Sequence, residues 1–338
     1  MKCYAGIDLH STNSYVVVMG EDQKVLFDKR LPNDLLTIEQ ALKPYAENLE
    51  GVVVESTYNW YWLADGLIKK DYRVHLAHTG SLDSYQRLKH SDDKTDARWL
   101  ANLLRLQVLP TGYIYPQEQR GLREVLRKRI LLVRQRTMNI LSLESILSRY
   151  EGVRLNGKKL QAFTSEEFQD YFSDEDVRQA IRPQWKILTT LNEEIGELEN
   201  YLKSRLKEDL AFRNLKTVPG VGIILAATIC LETGPIQRFA EVGRYASYCR
   251  CVKSDRISNG KKKGENNGKS GNAYLSWAYV EAANHAIRHY DPIRRYYDRK
   301  RTKANHTLAI KAVAHKLARG SYYVLKDEVF FDIKKAFS

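Results

Sequence analysis

The N-terminal third of the chain alternates apolar runs of strand length with amphipathic runs of helix length. Three strand-like stretches come first, over 2–10, 14–20 and 24–31, separated by short polar turns. The pattern continues with a helix over 36–49, a strand over 51–57, a helix over 61–70, a strand over 72–78 and a helix over 92–106. Three consecutive strands followed by alternating helices and strands are typical of an RNase-H-like sheet. We therefore predict an α/β RNase-H-like (RuvC-like) domain over 1–112.

The pattern changes after a linker that contains two prolines. Apolar residues then recur at heptad-like spacing over 117–150 and again over 185–210. Two long amphipathic helices of this kind predict an antiparallel coiled-coil arm or an oligomerisation surface over 113–212. The remaining residues, 213–338, predict a mostly helical domain. Within it, 253–272 is rich in Gly, Asn, Ser and Lys, which predicts a flexible, cationic loop that an anionic partner orders.

Charge is distributed unevenly along the chain. The net charge is +13, yet residues 1–112 carry 13 Lys and Arg against 15 Asp and Glu. Residues 250–320 carry 17 Lys and Arg against five Asp and Glu. Such a concentrated positive field favours a polyanion as the partner, and nucleic acid is the commonest one. A solvated, merely soluble helix face is the alternative.

The composition argues against a membrane or a secreted protein. No apolar run approaches the roughly 20 residues that cross a bilayer, and the first residues lead into a strand rather than a signal peptide. The four cysteines are too few and too irregularly spaced for a disulfide framework. We therefore expect a cytoplasmic protein with no membrane partner.

Two carboxylates end strands that should be neighbours. Asp8 lies in the first strand, where alternation puts it on the same face as Gly6 and His10. A buried carboxylate without a partner costs roughly several kcal/mol, so a strand that carries one normally offers it a backbone group, an arginine or a metal ion. Glu55 is the only charge in the apolar run that forms the fourth strand. In an RNase-H-like sheet the fourth strand lies beside the first, so we expect Asp8 and Glu55 side by side.

A second acidic pair lies at the start of a helix. Asp93 and Asp96 are spaced i and i+3, on the face that continues as Leu100 and Leu103, so we expect both acids to point toward the sheet. Asp92 lies on another side and is predicted to cap the helix. Four converging carboxylates suit one or two Mg²⁺ ions and phosphoryl-transfer chemistry. The alternative is that each acid has a separate, local structural role.

Six motifs occur in one order along nearly the whole chain: GIDLH, VVVES, DDKTDARWLA, VPGVG, SNGKKKG and SGNAYLSWAYVEAA. Together they resemble the DEDD-type insertion-sequence transposases of family one-ten, in its one-eleven-eleven branch. The resemblance implies that Asp8, Glu55, Asp93 and Asp96 are the catalytic, metal-binding tetrad of a RuvC-like domain. It also implies an enzyme that moves an insertion sequence by cutting and rejoining DNA.

The resemblance further implies a nucleophilic serine in a C-terminal transposase domain. The family's Ser-Gly-Gly-Lys matches the positions that begin at Ser258, with Asn259 in place of the commoner Gly. Ser254 and Ser270 lie nearby, but neither is followed by Gly-Lys in that register. Nucleic-acid-binding residues are expected around the serine, namely Arg256, Lys261, Lys262, Lys263 and Lys269.

The partners that the resemblance implies are donor and target DNA and a noncoding guide RNA. A homo-oligomer, dimer or tetramer, is expected through the helical arm. Two alternatives stay open at this point. One is a RuvC-like, metal-dependent junction endonuclease that uses water as its nucleophile, and the other is a non-catalytic nucleic-acid-binding scaffold.

Overall fold

The protein consists of a mixed α/β sheet unit followed by a mostly helical unit. A computed structural model describes residues 1–78, 92–252, 255–265 and 270–338. The chain divides into two compact units, Met1–Gln117 and Glu118–Ser338. The boundaries of the three domains that the sequence predicts, 1–112, 113–212 and 213–338, remain a prediction.

The first unit is built on one six-stranded sheet in the order β3-β2-β1-β4-β5-β6. Strands β1, β2 and β3 pair antiparallel, β4 and β5 continue the sheet parallel to β1, and β6 pairs antiparallel to β5. The strands are β1 (Cys3–Leu9), β2 (Asn13–Gly20), β3 (Val25–Pro32), β4 (Leu49–Glu55), β5 (Val74–Ala77) and β6 (Thr111–Gly112). The predicted position of the fourth strand beside the first is confirmed.

Helices cover both faces of this sheet. They are α1 (Leu35–Leu42), α2 (Tyr61–Ile68) and α3 (Asp93–Arg105). Ile7 of β1 packs with residues of α1 and α2 in one apolar core, whereas Val53 of β4 packs with Leu100 of α3 on the opposite face. The predicted helix over 36–49 ends at Leu42 and continues as a 3₁₀ helix, Lys43–Asn48, since Pro44 cannot donate an α-helical hydrogen bond.

Helix α3 lies unusually close to β1 at one glycine. A Cβ atom at Gly6 would lie 2.1 Å from the carbonyl oxygen of Ala97, a distance that no side chain tolerates. Only glycine permits this approach of strand and helix backbones. The close packing brings the first turn of α3 over the carboxyl end of β1.

The second unit is helical apart from one hairpin in its described residues. Its helices are α4 (Gln117–Glu151), α5 (Gly157–Leu160), α6 (Ser165–Gln169), α7 (Glu175–Leu206), α8 (Leu210–Leu215), α9 (Ile223–Thr233), α10 (Val242–Tyr248), α11 (Ala273–His289), α12 (Asp291–Arg301), α13 (His306–Lys326) and α14 (Ile333–Phe337). A short 3₁₀ helix, Ile236–Arg238, precedes α10. Within the described residues, none of the helices has both the length and the apolar character needed to span a membrane.

The two long helices α4 and α7 pack antiparallel. Arg129 Nε donates to Glu199 Oε1 at 2.8 Å, and Arg136 Nη1 donates to Asn192 Oδ1 at 3.3 Å. Residue numbers rise along one helix as they fall along the other, which fixes the antiparallel direction. This helical pair agrees with the amphipathic pattern of the sequence.

Helix α7 begins ten residues before its predicted start at 185. The heptad-like pattern predicted a start at 185, yet the helix already contains Pro183. Asp174 caps the true N-terminus by accepting from the backbone N–H groups of Asp176 and Val177. The apolar stripe that begins at Val177 packs against Phe168, so burial outweighs the hydrogen bond that the proline removes.

The cationic segment around the expected serine forms a hairpin rather than a loop. Strand β7 (Asp255–Ser258) pairs antiparallel with β8 (Lys261–Glu265). The turn residues Asn259 and Gly260 both have positive φ, 51° and 69°, as a type I′ turn requires. The prediction of a flexible loop is therefore wrong for 255–265, because an Asn-Gly pair is itself a strong hairpin signal.

Candidate active site

Asp8 and Glu55 come from neighbouring parallel strands. The pairing of β1 with β4 runs up to Ile7 opposite Val54, one residue before each acid. Asp8 is 3% exposed, and Glu55 is half-buried. Parallel strands in this register place the two carboxylates next to each other at the carboxyl ends of the strands.

A third carboxylate joins them from helix α3. Burial, a hydrogen bond with Asp8 and the negative charges of Asp8 and Asp96 raise the pKa of Glu55 to about 8. Burial is the largest cause of this shift, and the nearby charges of Asp8 and Asp96 add to it because like charges disfavour a further ionised carboxyl. Three of the four predicted acids therefore share one small region.

Asp93 lies in the same region, and a histidine contacts both Asp93 and Asp8. His10 Nε2 lies 3.0 Å from Asp8 Oδ2 and 3.1 Å from Asp93 Oδ1. Ligand atoms of Asp8, His10 and Asp93 all lie within 4.8 Å of one another. Asp93 also pairs with Arg30 of β3 at 2.5 Å. All four predicted acids are thus brought to one end of the sheet.

His10 is the residue of this cluster to which the sequence had assigned no role. Its backbone is fixed, because its carbonyl oxygen accepts from Asn33 Nδ2 at 2.9 Å and from Asn59 Nδ2 at 3.0 Å. The signal was present in the sequence, since His10 follows Asp8 by two residues on the same face of the strand. Mg²⁺ prefers oxygen donors, so the carboxylates fit it better than the imidazole does.

Ion pairs hold helix α3 over the sheet. Asp92 accepts from the backbone N–H of Thr95 at 2.7 Å, which confirms its predicted role as the helix cap. Arg98 donates two hydrogen bonds to Asp28 of β3, and Lys94 Nζ lies 3.2 Å from the same carboxylate. These contacts, together with the close approach at Gly6, fix the position of the acids that α3 carries.

Ser258 lies in the second unit, at the end of β7. Its backbone pairs with that of Lys261 across the turn. Lys261 and Lys263 are exposed on β8, whereas Arg256 and Lys262 are placed in the hairpin by their backbones. Lys269 and the rival Ser254 lie outside the described residues, and the rival Ser270 is exposed next to Gly271.

The two ends of the segment that carries the hairpin are tied together. The Arg250 guanidinium donates to the carbonyl oxygen of Gly271 from Nε at 3.2 Å and from Nη2 at 2.9 Å. The backbone N–H of Asn272 donates to the carbonyl oxygen of Tyr248 at 2.7 Å. Both contacts lie within the helical unit, so the two ends of this segment, at Arg250 and Gly271, meet at one fixed point.

A buried ion pair supports this fixed point. The Glu232 side chain is fully buried on α9 and accepts from Arg127 of α4 at 2.7 and 2.9 Å. Asn272 Nδ2 donates to the same carboxylate at 2.8 Å, while Asn272 Oδ1 caps α11 at Tyr274 and Leu275. Arg127 also stacks on the ring of Tyr274. Nothing in the sequence pattern paired Arg127 with Glu232, which lies 105 positions further on.

Comparison with protein families supplies the context for these two sites. A family model described as a transposase, of the IS110 type, matches residues 5–151. A second, described as a transposase of the IS116/IS110/IS902 family, matches residues 212–298. The chain belongs to this transposase family. The resemblance inferred from the six motifs is thereby confirmed at the level of the family, and the two matched regions of this IS110-family chain contain the acid cluster and the serine hairpin respectively.

Curated relatives agree with this assignment. An IS110 insertion-element protein of Streptomyces coelicolor is 29% identical over 147 residues, which are 43% of this chain and 36% of the relative. The transposase of insertion sequence IS1111A from Coxiella burnetii is 23% identical over 206 residues, 59% of this chain and 56% of the relative. An IS900 protein of Mycobacterium paratuberculosis is 28% identical over 152 residues, 43% of this chain and 37% of the relative. The chain therefore spans less than two thirds of each relative.

The raised pKa of Glu55 predicts a pH-dependent stability of the metal-free protein. Between the ordinary carboxyl value of 4.5 and about 8, folded Glu55 keeps a proton that the unfolded chain has released. The free energy of unfolding should therefore fall as pH rises through this range. Urea unfolding in the presence of a chelator, repeated with Glu55→Gln, measures the effect. The substituted chain should lose this part of the slope, and equal slopes in the two proteins would contradict the assignment.

Proposed function

We propose that this chain is a DNA transposase that moves an insertion sequence by cutting and rejoining DNA strands. The observation that carries the proposal is the meeting of Asp8, Glu55, Asp93 and Asp96 at one end of a sheet. A strand order with three antiparallel strands followed by two parallel ones supports an RNase-H-like, RuvC-like domain. The family match supports DNA as the substrate.

The acid cluster fits one or two Mg²⁺ ions. Hard carboxylate oxygens are the donors that Mg²⁺ prefers. The raised pKa of Glu55 supports the fit, because a carboxyl that burial and the charges of Asp8 and Asp96 keep protonated is one that a bound cation would ionise. Mg²⁺ held by the four acids would polarise a phosphate and favour loss of a proton from an attacking hydroxyl.

Ser258 is proposed as the nucleophile. Its Oγ forms a bond to phosphorus while the bond from phosphorus to the 3′ oxygen breaks, and the hydroxyl proton lost by serine is balanced by the one that the 3′ oxygen gains. The product is a phosphoserine on the DNA 5′ end, which keeps the bond energy for rejoining. The exposed Lys261 and Lys263 on the adjacent strand support this role, since cations there offset the charge that develops on the phosphate. Arg256, Lys262 and Lys269 are proposed to share the contact with nucleic acid.

The proposed partners are donor and target DNA, a noncoding guide RNA and further copies of the same chain. The excess positive charge of residues 250–320 supports a polyanionic partner. Exposed apolar side chains on the two long helices support self-association as a dimer or tetramer. They include Met138 at 70%, Leu141 at 58% and Ile187 at 51% exposure.

The proposal is tested with Ser258→Ala. We expect wild-type chain, supplied with its guide RNA and DNA substrates, to form a protein–DNA adduct at Ser258 and recombined product. The Ser258→Ala chain should form neither, while DNA binding is unchanged. Denaturing gels followed by peptide mapping detect the adduct, and Ser270→Ala is the matched control that should retain it.

Two outcomes would overturn the serine mechanism. Strand cutting that persists in Ser258→Ala would favour the junction endonuclease that uses water. Binding without any cutting by the wild-type chain, with or without Mg²⁺, would favour a non-catalytic scaffold.

A further inference from the structure

A cavity of about 830 Å³ lies in the helical unit, between α12, α13 and the segment that leads into α14. Its volume is within the range of sites that hold small ligands or single groups of a polymer. The lining residues that matter here are Tyr296, His315, Lys316, Arg319, Tyr323 and Phe330. They are all separate from the acid cluster and from the serine hairpin in sequence.

Aromatic rings at this cavity are left in contact with water. Phe330 is 73% exposed and Tyr323 is 46% exposed. Burying either ring would be favourable, so their exposure beside a cavity indicates a surface that a ligand covers. Flat aromatic faces are suited to stacking on another planar ring.

Positive charge surrounds the same cavity. Burial and the charges of Arg299, Lys300 and Arg319 lower the pKa of Lys316. Lys316 Nζ is held in place by donating to the carbonyl oxygen of Ala336 at 2.6 Å, and lies 5.0 Å from the centre of the Tyr296 ring.

Two acids, Asp327 and Asp332, also line the cavity. The Asp332 carboxylate accepts from the backbone N–H of Lys335 at 3.0 Å and so caps α14. Three cations, Lys316, Arg319 and Lys335, line the cavity against these two acids, which favours an anionic ligand.

We propose that this cavity binds an unpaired nucleotide of a single-stranded nucleic acid. The base stacks on Phe330 and Tyr323, and the adjoining phosphate lies near Arg319 and Lys316. Stacking of bases on aromatic rings beside a cationic surface is the general mode of single-strand recognition, whereas a paired base is not free to enter. The inference rests on the proposed function only for the source of the polymer, which is either the guide RNA or a displaced DNA strand.

Binding of labelled single strands to the full chain tests the proposal. The probes are an unstructured oligouridine, the matching oligothymidine and a DNA duplex of equal length, measured by fluorescence anisotropy. We expect Phe330→Ala to weaken single-strand binding about tenfold, and Phe330→Tyr to restore it. Arg319→Gln should lower the slope of log affinity against log salt by about 0.7.

Tyr201→Ala is the matched control, because Tyr201 is 45% exposed on α7, close to the 46% of Tyr323 on α13, and is not among the residues that line this cavity. This variant should bind as wild type does. Photo-crosslinking with 5-iodouracil should place the adduct on the peptide that contains Tyr323 and Phe330. Tighter binding of oligouridine than of oligothymidine would identify RNA as the source. Equal binding would show that the cavity accepts an unpaired nucleotide of RNA or of DNA.

Equal affinities of Phe330→Ala and Tyr201→Ala, or an adduct confined to other peptides, would overturn the inference. Tighter binding of the duplex that still depends on Phe330 would overturn it as well. These assays involve no strand cutting, so they also distinguish the two proposals. If the serine mechanism fails its test, Phe330-dependent binding can still be observed. If Phe330-dependent binding is not observed, the Ser258 adduct can still be detected.

Discussion

Replacing Asp8 with Asn should abolish DNA strand cutting without destabilising the metal-free protein. Asp8 is buried beside Glu55, whose pKa its charge helps to raise to about 8. Removing the Asp8 charge lets the buried Glu55 carboxyl lose its proton at a lower pH, and the new amide can donate to the carboxylate that results. The same change removes a proposed ligand of Mg²⁺. Loss of activity together with unchanged or higher stability is not expected of a residue with a purely structural role.

We expect the rate of cutting at saturating Mg²⁺ to fall about a thousandfold or more, which corresponds to roughly 4 kcal/mol of transition-state stabilisation. Cleavage rates and urea unfolding with chelator present measure the two effects. Asp34→Ala is the control, since Asp34 caps α1 by accepting from the Thr37 N–H at 2.7 Å. It should cost about 1 kcal/mol of stability and leave cutting intact. An Asp8→Asn chain that cuts normally would contradict the proposed site.

Arg127→Met should give the largest loss of stability in the helical unit. It removes the partner of Glu232, whose side chain is fully buried. An uncompensated buried charge costs about 3–5 kcal/mol. The loss should extend to function, because Glu232 also accepts from Asn272, which closes the segment that carries Ser258. Denaturant unfolding monitored on the full chain measures the change.

A second substitution tests the cause. Adding Glu232→Gln to Arg127→Met removes the buried negative charge that has lost its arginine partner. The double variant should therefore recover much of the free energy of unfolding that Arg127→Met loses. Arg129→Met is the matched control on the same helix, since its partner Glu199 is 37% exposed and stays hydrated after the change. A double variant no more stable than Arg127→Met, or a control that is equally destabilised, would show that the buried charge is not the cause.

Local patterns were enough to predict the architecture of the first unit and the place of its acids. Strand length, alternation and the order of elements gave the neighbours β1 and β4, and hence the pairing of Asp8 with Glu55. Helical spacing placed Asp93 and Asp96 on one face, and the predicted inward stripe is confirmed by the burial of Leu100 and Leu103.

Features that depend on contacts between distant residues could not be predicted in the same way. The role of His10 depends on its contact with Asp93, which lies on a helix more than 80 residues later in the chain. The pairing of Arg127 with Glu232 likewise needs the fold of the helical unit. The predicted start of α7 at 185 is too late because the apolar stripe extends back past Pro183 to Ile181 and Val177, which become buried only in the packed helical unit. The hairpin at Ser258 was missed because charge and composition were weighed above the Asn-Gly turn.

Anomalous diffraction from crystals of the full chain with DNA and Mn²⁺ tests the central claim most directly. Mn²⁺ takes the same oxygen donors as Mg²⁺ and is identified by its own scattering. We predict one or two peaks bounded by the carboxylates of Asp8, Glu55, Asp93 and Asp96. Full metal occupancy elsewhere, with these four carboxylates bound to protein groups alone, would contradict the account.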